Sequence, residues 1–378
     1  MKKLRPFCLF AFFVCFALPN WAQVQNPDKL DKRWKTDTTI HTVPLEEFKA
    51  LLPRDGIPPI DRPKFFTQKQ ALQNYFEHEP VIALEIEGVA KAYPLNVLTY
   101  HEIVNDKIGE VPVTATYCPL CNAAIIFDRR LTYKGKKYIL DFGVSGMLRK
   151  SDMVMWDRQT QTWWQQIVGE AVVGKLAGAT LTQLDAQIIS LKEFFKTYPK
   201  GEVLSTDTGF EKMKKRYGKN YYKGYDSSVQ PRLFKGKVDS RLPAMERVID
   251  IYFQGKYKIY PLKIIQKWGV INDRFKRKNL VIFHQYGTRS ILDKQDIQAS
   301  KNIGTTTVFD AKVNGQVLTF KKAKQGFTDQ QTGSVWDITG HCIAGKHQGK
   351  KLRRLRYGNH FAFAWFAFHP DDSELYQE

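Results

Sequence analysis

The chain has 378 residues, 43% of them hydrophobic and 25% charged, and its formal net charge is +20. This length and apolar content suffice for ordinary hydrophobic cores and for two domains. The positive charge is spread along the sequence, and no basic segment is interleaved with stacking aromatic residues, which argues against nucleic-acid binding. The charge allows contact with anionic envelope components, although a solvated basic surface explains it more simply.

The N-terminus has the pattern of a secretory signal peptide. Lys2, Lys3 and Arg5 form a cationic start, and residues 7–18 form an apolar run that is too short for a stable membrane anchor. Ala22 is a small residue suited to cleavage, and no later apolar run is long enough for a membrane helix. The sequence therefore predicts a soluble protein exported to the periplasm or the cell exterior, with no transmembrane segment beyond the signal.

The cysteine content argues against a disulfide-stabilised scaffold. Cys8 and Cys15 lie inside the predicted signal, so the mature chain keeps Cys118, Cys121 and Cys342. Three cysteines in a chain of this size do not make a disulfide framework, and their odd number leaves at least one thiol unpaired within the chain. Two of the three lie in the segment CPLC, which makes this segment the main candidate for chemistry.

The sequence also contains an internal repeat. Residues 81–98 (VIALEIEGVAKAYPLNVL) align without a gap to residues 248–265 (VIDIYFQGKYKIYPLKII). Further pairs of similar segments follow in the same order, namely 157–164 with 329–336, 169–178 with 340–349, and 194–199 with 365–370. Ordered similarity over so long a stretch predicts a tandem duplication.

Each copy alternates short strand patterns with a few helical turns. The pattern predicts a strand at 81–88, a helical turn after Pro94, a hairpin that turns at 134–136 and a short helix that ends before Pro199. We therefore predict a strand-rich α+β fold of two tandem homologous modules. The predicted segments are a signal peptide (1–22), an N-terminal extended segment (23–54), a first module (55–206), a linker (207–246) and a second, diverged module (247–378).

Several motifs together resemble a known family. The segments AYPLNVLTYHEIVND, VTATYCPLCNAAIIFDR and MVMWDRQTQTWWQQIVGEAVVGKLAG are similar to those of an exported bacterial and archaeal family, that of domain of unknown function 3179. The resemblance covers most of the chain from about Asp55 onward, because the family also occurs with a second, diverged copy. It implies no particular activity or substrate. Asn122 stands where the family usually has a glycine after the second cysteine.

Comparison of the two copies shows which residues persist in both and which occur only in the first. The Tyr-Pro-Leu and Asn-Asp segments persist in both copies. At the same offset, the second copy has Gln285, Thr288 and Trp268 at the positions of Cys118, Cys121 and His101. Residues needed only for packing tend to persist with the fold, whereas residues of one chemical site can be lost together. This comparison predicts that His101, Cys118 and Cys121 form one site in the first module.

The leading interpretation of this site is transition-metal binding. A Cys-Pro-x-Cys turn between two strands can direct both sulfurs at one ion, and Asn122 suits the turn because asparagine tolerates a positive φ. His101 would supply a nitrogen ligand, and soft thiolates with imidazole suit Zn²⁺ or copper. The remaining place in the shell is left to Glu102, Asp128, Asp152 or an exogenous group.

Two other uses of the cysteines stay open from the sequence. A thiol–disulfide redox site would suit Pro119 and an exported protein, although the segment after Cys121 is not a convincing helix. A non-catalytic binding or scaffold protein could instead use the two cysteines structurally, as a small disulfide or as core residues. Whether the protein is an enzyme is left undecided between these uses.

The other candidate residues are predicted to be structural. Ser145 in FGVSG fits a glycine-lined turn better than a nucleophile, and the tryptophans at 163–164 fit the core. Asp157 and its neighbour Arg158 fit a surface or rim pair. Cys342 aligns with an alanine of the first copy, which predicts a small buried core residue.

Overall fold

The structure is a computed structural model, and it describes residues 23–378. The predicted signal peptide lies outside the described residues. Within residues 23–378, no helix has both the length and the apolar character needed to cross a membrane. Most of the regular structure is β-strand, in several small sheets with a few short helices, which confirms the predicted strand-rich α+β class.

The first part of the chain carries three sheets. Its elements are β1 (Phe48–Ala50), β2 (Phe65–Phe66), α1 (Gln68–Asn74), β3 (Pro80–Ile86), β4 (Val89–Pro94), α2 (Leu95–His101), β5 (Ile103–Ile108), β6 (Val111–Cys118), β7 (Ala123–Asp128), β8 (Arg130–Tyr133), β9 (Lys136–Ile139), β10 (Phe142–Arg149), β11 (Asp152–Asp157), β12 (Trp163–Gln165), β13 (Glu170–Val173), β14 (Thr182–Gln183), β15 (Gln187–Ser190), α3 (Leu191–Thr197) and β16 (Glu202–Leu204). The strand orders are β15-β3-β4-β16-β2, β14-β7-β6-β5 and β1-β10-β11-β12-β13, and β8-β9 form a separate hairpin.

The second part of the chain carries three further sheets and a hairpin. Its elements are α4 (Glu211–Lys214), β17 (Arg247–Phe253), β18 (Lys256–Pro261), α5 (Leu262–Trp268), β19 (Val270–Phe275), β20 (Lys278–Gln285), β21 (Thr305–Asp310), β22 (Lys312–Val313), β23 (Gln316–Val317), β24 (Phe320–Lys322), β25 (Phe327–Asp329), β26 (Val335–Trp336), β27 (Cys342–Ala344), β28 (Tyr357–Phe361), α6 (Ala362–Phe368) and β29 (Ser373–Leu375). The strand orders are β28-β17-β18-β29, β19-β20-β21 and β24-β25-β26-β27, with β22-β23 as a hairpin.

Part of these strand orders corresponds between the two parts of the chain. The order β28-β17-β18-β29 follows that of β15-β3-β4-β16, and the last pair is parallel in both sheets. The helices α2 and α5 each begin directly after a Tyr-Pro pair at the end of a strand. Proline suits that position because it fixes φ and lacks the amide that a helix start would leave unpaired. This four-stranded arrangement with its helix therefore occurs twice, within residues 80–204 (the first half) and within residues 247–375 (the second half).

An aspartate fixes each Tyr-Pro hairpin to the strand that follows it. In the first half, the Tyr93 hydroxyl donates to Asp106 Oδ2 over 2.7 Å. In the second half, the Tyr260 hydroxyl donates to Asp273 Oδ2, also over 2.7 Å. In both halves the lysine two residues before the tyrosine forms an ion pair with the same aspartate. The persistent Lys-x-Tyr-Pro and Asp positions are therefore structural.

The persistent asparagine before each of these aspartates joins two sheets. Asn105 donates its side-chain amide to Phe142 O over 2.8 Å and accepts from Phe142 N over 3.0 Å. Asn272 makes the same two hydrogen bonds to Phe320, each over 2.8 Å. The asparagine side chain thus pairs with the backbone N–H and C=O of one residue in the adjoining sheet, as a neighbouring strand would. Both backbone groups are satisfied in this way.

A buried aspartate also organises the tryptophan-containing turn of each half. The side chain of Asp157 is fully buried, and its Oδ2 accepts from the Trp164 indole over 2.9 Å. Asp329 accepts from the Trp336 indole over 3.0 Å. The prediction of a surface pair with Arg158 was therefore wrong for the aspartate, because its carboxylate is needed inside the turn. The prediction that the tryptophans belong to the core is confirmed.

The two halves contact each other through equivalent edges. The strand β15 of the first half lies beside β21, and its counterpart β28 lies beside β7. The segment 207–246 between the halves is mostly irregular and packs on the first half. Tyr225 of this segment is fully buried. The carbonyls of Arg216 and Lys219, also in this segment, accept hydrogen bonds from the Tyr100 hydroxyl of α2. The strands β7 and β21 are therefore each covered by an edge strand of the other half.

Candidate metal centre

The CPLC segment is the turn of the β6–β7 hairpin. Cys118 is the last residue of β6 and pairs with Ala123, the first residue of β7. The turn closes with a hydrogen bond from Asn122 N to Pro119 O over 3.3 Å, and Asn122 has a φ of 53°. The left-handed conformation predicted for Asn122 is confirmed. Strands flank the cysteines on both sides, so these cysteines are not at the start of a helix as they would be in a thioredoxin-like site.

We expect substitutions of Asn122 to follow its backbone conformation. Asn122→Ala should lower the free energy of unfolding by about 1–2 kcal/mol, because alanine tolerates a positive φ poorly and loses the side-chain hydrogen bond to Asn359 O. Asn122→Gly keeps the conformation without strain and should lose less. Urea unfolding of both variants tests this expectation, and a glycine variant as unstable as the alanine variant would contradict it.

A second tight turn brings a carboxylate to the cysteines. The hairpin between β10 and β11 turns at Lys150 and Ser151, whose φ values are 51° and 69°, and Asp152 follows directly. One ligand atom from each of Cys118, Cys121 and Asp152 lies within 4.8 Å of the other two, and all three side chains are buried. Neither residue is a glycine, so the turn that places Asp152 beside the cysteines is strained.

Asp152 has one satisfied and one unsatisfied oxygen. Its Oδ2 accepts from Gln165 Nε2 over 2.6 Å and from Ile167 N over 3.0 Å, which fixes the orientation of the carboxyl group. Its Oδ1 is buried, and among residues 23–378 no N–H or O–H group donates to it. Burial raises the pKa of Asp152 to about 6. A buried carboxylate oxygen without a donor is unfavourable unless a cation approaches it, so the donor set fits a positively charged ligand.

The two thiols share this dry environment. The sulfurs of Cys118 and Cys121 lie 3.9 and 3.5 Å from the carbonyl oxygen of Ser151, and both cysteines are free thiols. Burial raises the pKa of Cys118, and it raises the pKa of Cys121 well above its usual value. A thiol with a raised pKa is a poor nucleophile at neutral pH, whereas a metal ion can displace the proton and bind the thiolate.

Glu102 is a buried acid next to this group. It follows α2 with a φ of 57°, and its counterpart in the second half is Gly269, which has a φ of 71°. The backbone of both halves therefore needs a left-handed residue here. Glycine adopts this conformation without strain in the second half, whereas Glu102 is strained in the first. Burial, and then the charge of Asp152, raise the pKa of Glu102 to about 8. The negative charge of Asp152 thus disfavours ionisation of the Glu102 carboxyl group.

The structure does not bring His101 to the cysteines. Its Nδ1 lies 2.8 Å from Pro58 O and its Nε2 lies 2.6 Å from the Tyr217 hydroxyl, so both ring nitrogens have partners elsewhere. Burial lowers the pKa of His101. The third ligand atom of the group belongs instead to Asp152. His101 connects α2 to Pro58, which precedes β2, and to Tyr217 of the linker.

The remaining sequence candidates lie outside the group. Asp128 is paired with Arg130. Ser145 lies in β10 at an irregularity between Val144 and Leu148, not in the predicted turn, and accepts a hydrogen bond from Met147 N over 3.0 Å. Cys342 is buried opposite Trp336 in β27, as Ala171 is opposite its tryptophan in β13, which confirms the predicted core position.

Other parts of the chain close the site. Phe361 N of β28 donates to Cys121 O over 2.9 Å, and the Tyr225 hydroxyl of the linker donates to Leu120 O over 2.9 Å. Ser151 Oγ donates to Arg232 O over 2.6 Å. The residues that cover the site come from the linker and the second half. Sequence reasoning missed them because they are far from the cysteines in the sequence and most of their contacts to the site involve backbone groups.

A known protein family has a sequence pattern that matches this region. A family model described as "Protein of unknown function (DUF3179)" matches residues 54–372. The chain belongs to this family. The matched range includes the CPLC turn, Asp152 and both halves of the fold. No curated protein and no solved structure matches the chain.

Proposed function

We propose that this protein is exported and that its first half binds a transition metal ion through Cys118, Cys121 and Asp152. The observation that carries the proposal is the approach of two buried sulfurs and one buried carboxylate oxygen to within 4.8 Å of one another. The support for export is the signal-peptide pattern of residues 1–22. The basic surface of the chain is compatible with contact to anionic envelope components.

The chemistry of the donors favours Zn²⁺ over copper. Zn²⁺ accepts mixed sulfur and oxygen ligands in tetrahedral sites, whereas Cu(I) prefers sulfur alone. Glu102 is a further buried acid, and the charge of Asp152 contributes to its raised pKa. We infer that Glu102 supplies or orients the fourth ligand. Because the linker and β28 close the site, the ion would act as a resident centre that stabilises the fold.

We also infer that the two halves descend from one duplicated module, with modules at 55–206 and 247–378. The support is the matching strand order and the three sets of equivalent hydrogen bonds around Asp106, Asn105 and Asp157. At the site itself the correspondence ends, because Gln285 and Thr288 replace the cysteines. On this view the second module kept the architecture and lost the metal centre.

Cobalt substitution tests the metal proposal directly. The protein is stripped with a chelator, reduced and titrated with Co²⁺ under anaerobic conditions. We expect a thiolate-to-cobalt charge-transfer band that saturates at about one Co²⁺ per chain and is displaced by Zn²⁺. The band should be absent in Cys118→Ser and unchanged in Cys342→Ser. A wild-type protein without this band would refute the proposal.

A second candidate function, thiol–disulfide exchange, is supported by the proximity of the two sulfurs in an exported protein. Burial and the raised pKa of both thiols argue against it. The same preparation distinguishes the two functions. A redox site would form a Cys118–Cys121 disulfide reversibly, with a measurable potential against glutathione and without any requirement for metal.

Variants of Glu102 should separate backbone strain from metal binding. Glu102→Gly removes the strain of a positive φ, so we expect the metal-free protein to gain about 1 kcal/mol in unfolding free energy. The same variant should lose about tenfold or more in Zn²⁺ affinity, as expected for a residue that supports a metal ligand. Glu102→Gln keeps the strain and should lose affinity only. Chemical unfolding and competitive Zn²⁺ titration measure the two effects, and unchanged affinity in both variants would exclude Glu102 from the centre.

A further inference from the structure

A cleft of about 620 Å³ lies between the two halves, at the end of β20. Its lining comes from both halves and includes α3 with the residue before it, the segment 285–287, and the loop between β24 and β25. Gln285 in this lining is the counterpart of Cys118. The cleft therefore occupies, in the second half, the place that the candidate metal centre occupies in the first.

The cleft is open because a hairpin is shorter in the second half. In the first half, Phe142 pairs with Asp157 at the base of the hairpin, and the turn beyond them delivers Asp152 to the cysteines. In the second half, the equivalent base pair is Phe320 with Asp329, and the loop 323–326 follows after only two further pairs. The shorter hairpin leaves unfilled the space that the longer hairpin occupies in the first half.

Lysines without acidic partners surround the cleft. Lys196 of α3 and Lys322 and Lys324 of the shorter hairpin line it, and within residues 23–378 none of them has a carboxylate within 4.0 Å. Lys192 also lines the cleft but pairs with Glu77 over 2.8 Å. Three unpaired ammonium groups around one concave surface create a positive potential that attracts anions.

The wall of the cleft offers fixed hydrogen-bonding groups and an aromatic ring. Glu193 is buried, and its carboxylate is held by Gln285 Nε2 over 3.1 Å and by Thr305 Oγ1 over 2.8 Å. Asp337 accepts hydrogen bonds through Oδ1 from Thr339, whereas its Oδ2 accepts none from the described residues. Tyr286 is 55% exposed beside these acids. A bare inorganic anion would be repelled by the two carboxylates, but a ligand with hydroxyl groups can donate to Asp337 Oδ2, whereas Glu193 is already held by Ser190, Gln285 and Thr305.

We propose that this cleft binds an acidic saccharide, with its carboxylate on Lys196, Lys322 and Lys324 and its hydroxyl groups on the polar wall. The exposed ring of Tyr286 provides the flat apolar surface on which a sugar ring can lie. The volume of the cleft accommodates a short oligosaccharide. This site shares no residue with the metal centre and does not depend on a bound metal.

The test is calorimetric titration of the full-length mature protein with a trimer of galacturonic acid at low and at physiological salt. We expect binding that weakens with salt, and weaker binding by about tenfold or more in the triple variant Lys196→Glu, Lys322→Glu, Lys324→Glu. The matched control is the triple variant Lys212→Glu, Lys214→Glu, Lys215→Glu, which makes the same charge change at exposed lysines of the linker. It should bind as the wild type does.

Three results would overturn the proposal. The first is no binding of the acidic trimer by the wild-type protein at low salt. The second is equal weakening in the two triple variants, which would indicate a general effect of net charge. The third is equally tight binding of the neutral trisaccharide maltotriose, which would show that the lysines do not select the ligand. Binding of the trimer and metal content are measured on the same wild-type protein, so trimer binding without a stoichiometric metal would refute the metal proposal and leave this one standing.

Discussion

Cys121→Ser is expected to remove the stabilisation of the protein by Zn²⁺. A metal that binds only the folded state stabilises it by about 4 kcal/mol when its free concentration is 1,000 times Kd. The serine hydroxyl is a poor ligand for Zn²⁺, and loss of one of the three grouped ligand atoms leaves too few to hold the ion. Urea unfolding at two buffered concentrations of free Zn²⁺ measures the effect. The wild-type midpoint should shift with Zn²⁺, whereas the midpoint of the variant should not.

Cys342→Ser is the matched control for this experiment. Cys342 is also a buried free thiol, but it lies in β27 and outside the group of ligand atoms. We expect it to lower the unfolding free energy modestly through the buried hydroxyl and to keep the full shift with Zn²⁺. A Zn²⁺-dependent shift that survives in Cys121→Ser, or that disappears in Cys342→Ser, would contradict the assigned ligands.

Asp157→Ala is expected to destabilise the fold by about 3 kcal/mol without affecting the metal. The substitution leaves the buried indole N–H of Trp164 and the backbone N–H of Thr160 without their acceptor. Asp157 is not part of the ligand group, so metal content in the folded protein should be unchanged. Chemical unfolding of the metal-free protein gives the change in free energy, and elemental analysis gives the metal content.

The second half supplies a matched variant for this prediction. Asp329 accepts from the Trp336 indole and from Thr332 N in the same way. Asp329→Ala should therefore cause a loss of similar size if the second half unfolds together with the first. A large loss in one variant and none in the other would mean that the equivalent turns do not carry equivalent weight in the two halves.

Much of the fold could be predicted because its signals are local. Tyr-Pro pairs predicted the starts of α2 and α5, and the turn at 134–136 predicted the β8–β9 hairpin. The conformation of Asn122 was predictable because the turn between two strands needs a residue that tolerates a positive φ. These features depend on a few adjacent residues, so the local sequence is enough to predict them.

The composition of the site was less predictable because distant residues determine it. His101 resembles a ligand in the sequence, but its ring nitrogens are taken by Pro58 and Tyr217, which lie 43 and 116 residues away. Asp152 reaches the cysteines through a turn at Lys150 and Ser151, two residues that ordinarily avoid the left-handed conformation. No local pattern predicts such a turn.

The internal repeat contained one signal that distinguishes Glu102 from the other acids considered as ligands. At the offset that relates Cys118 to Gln285, Glu102 aligns with Gly269, and a glycine after a helix indicates a left-handed residue. A glutamate at the equivalent position implies backbone strain in the first half. The comparison of two copies can therefore locate strained residues as well as lost ligands.

The metal content of the wild-type protein is the most direct measurement of the proposed centre. The protein is purified from the exported fraction without chelators, and metal and sulfur are determined in the same sample, so that metal per chain is obtained independently of protein assays. We expect about one Zn²⁺ per wild-type chain and a loss of that ion in both Cys118→Ser and Asp152→Ala. Wild-type protein without a stoichiometric metal, or variants with the wild-type content, would contradict a metal centre at these residues.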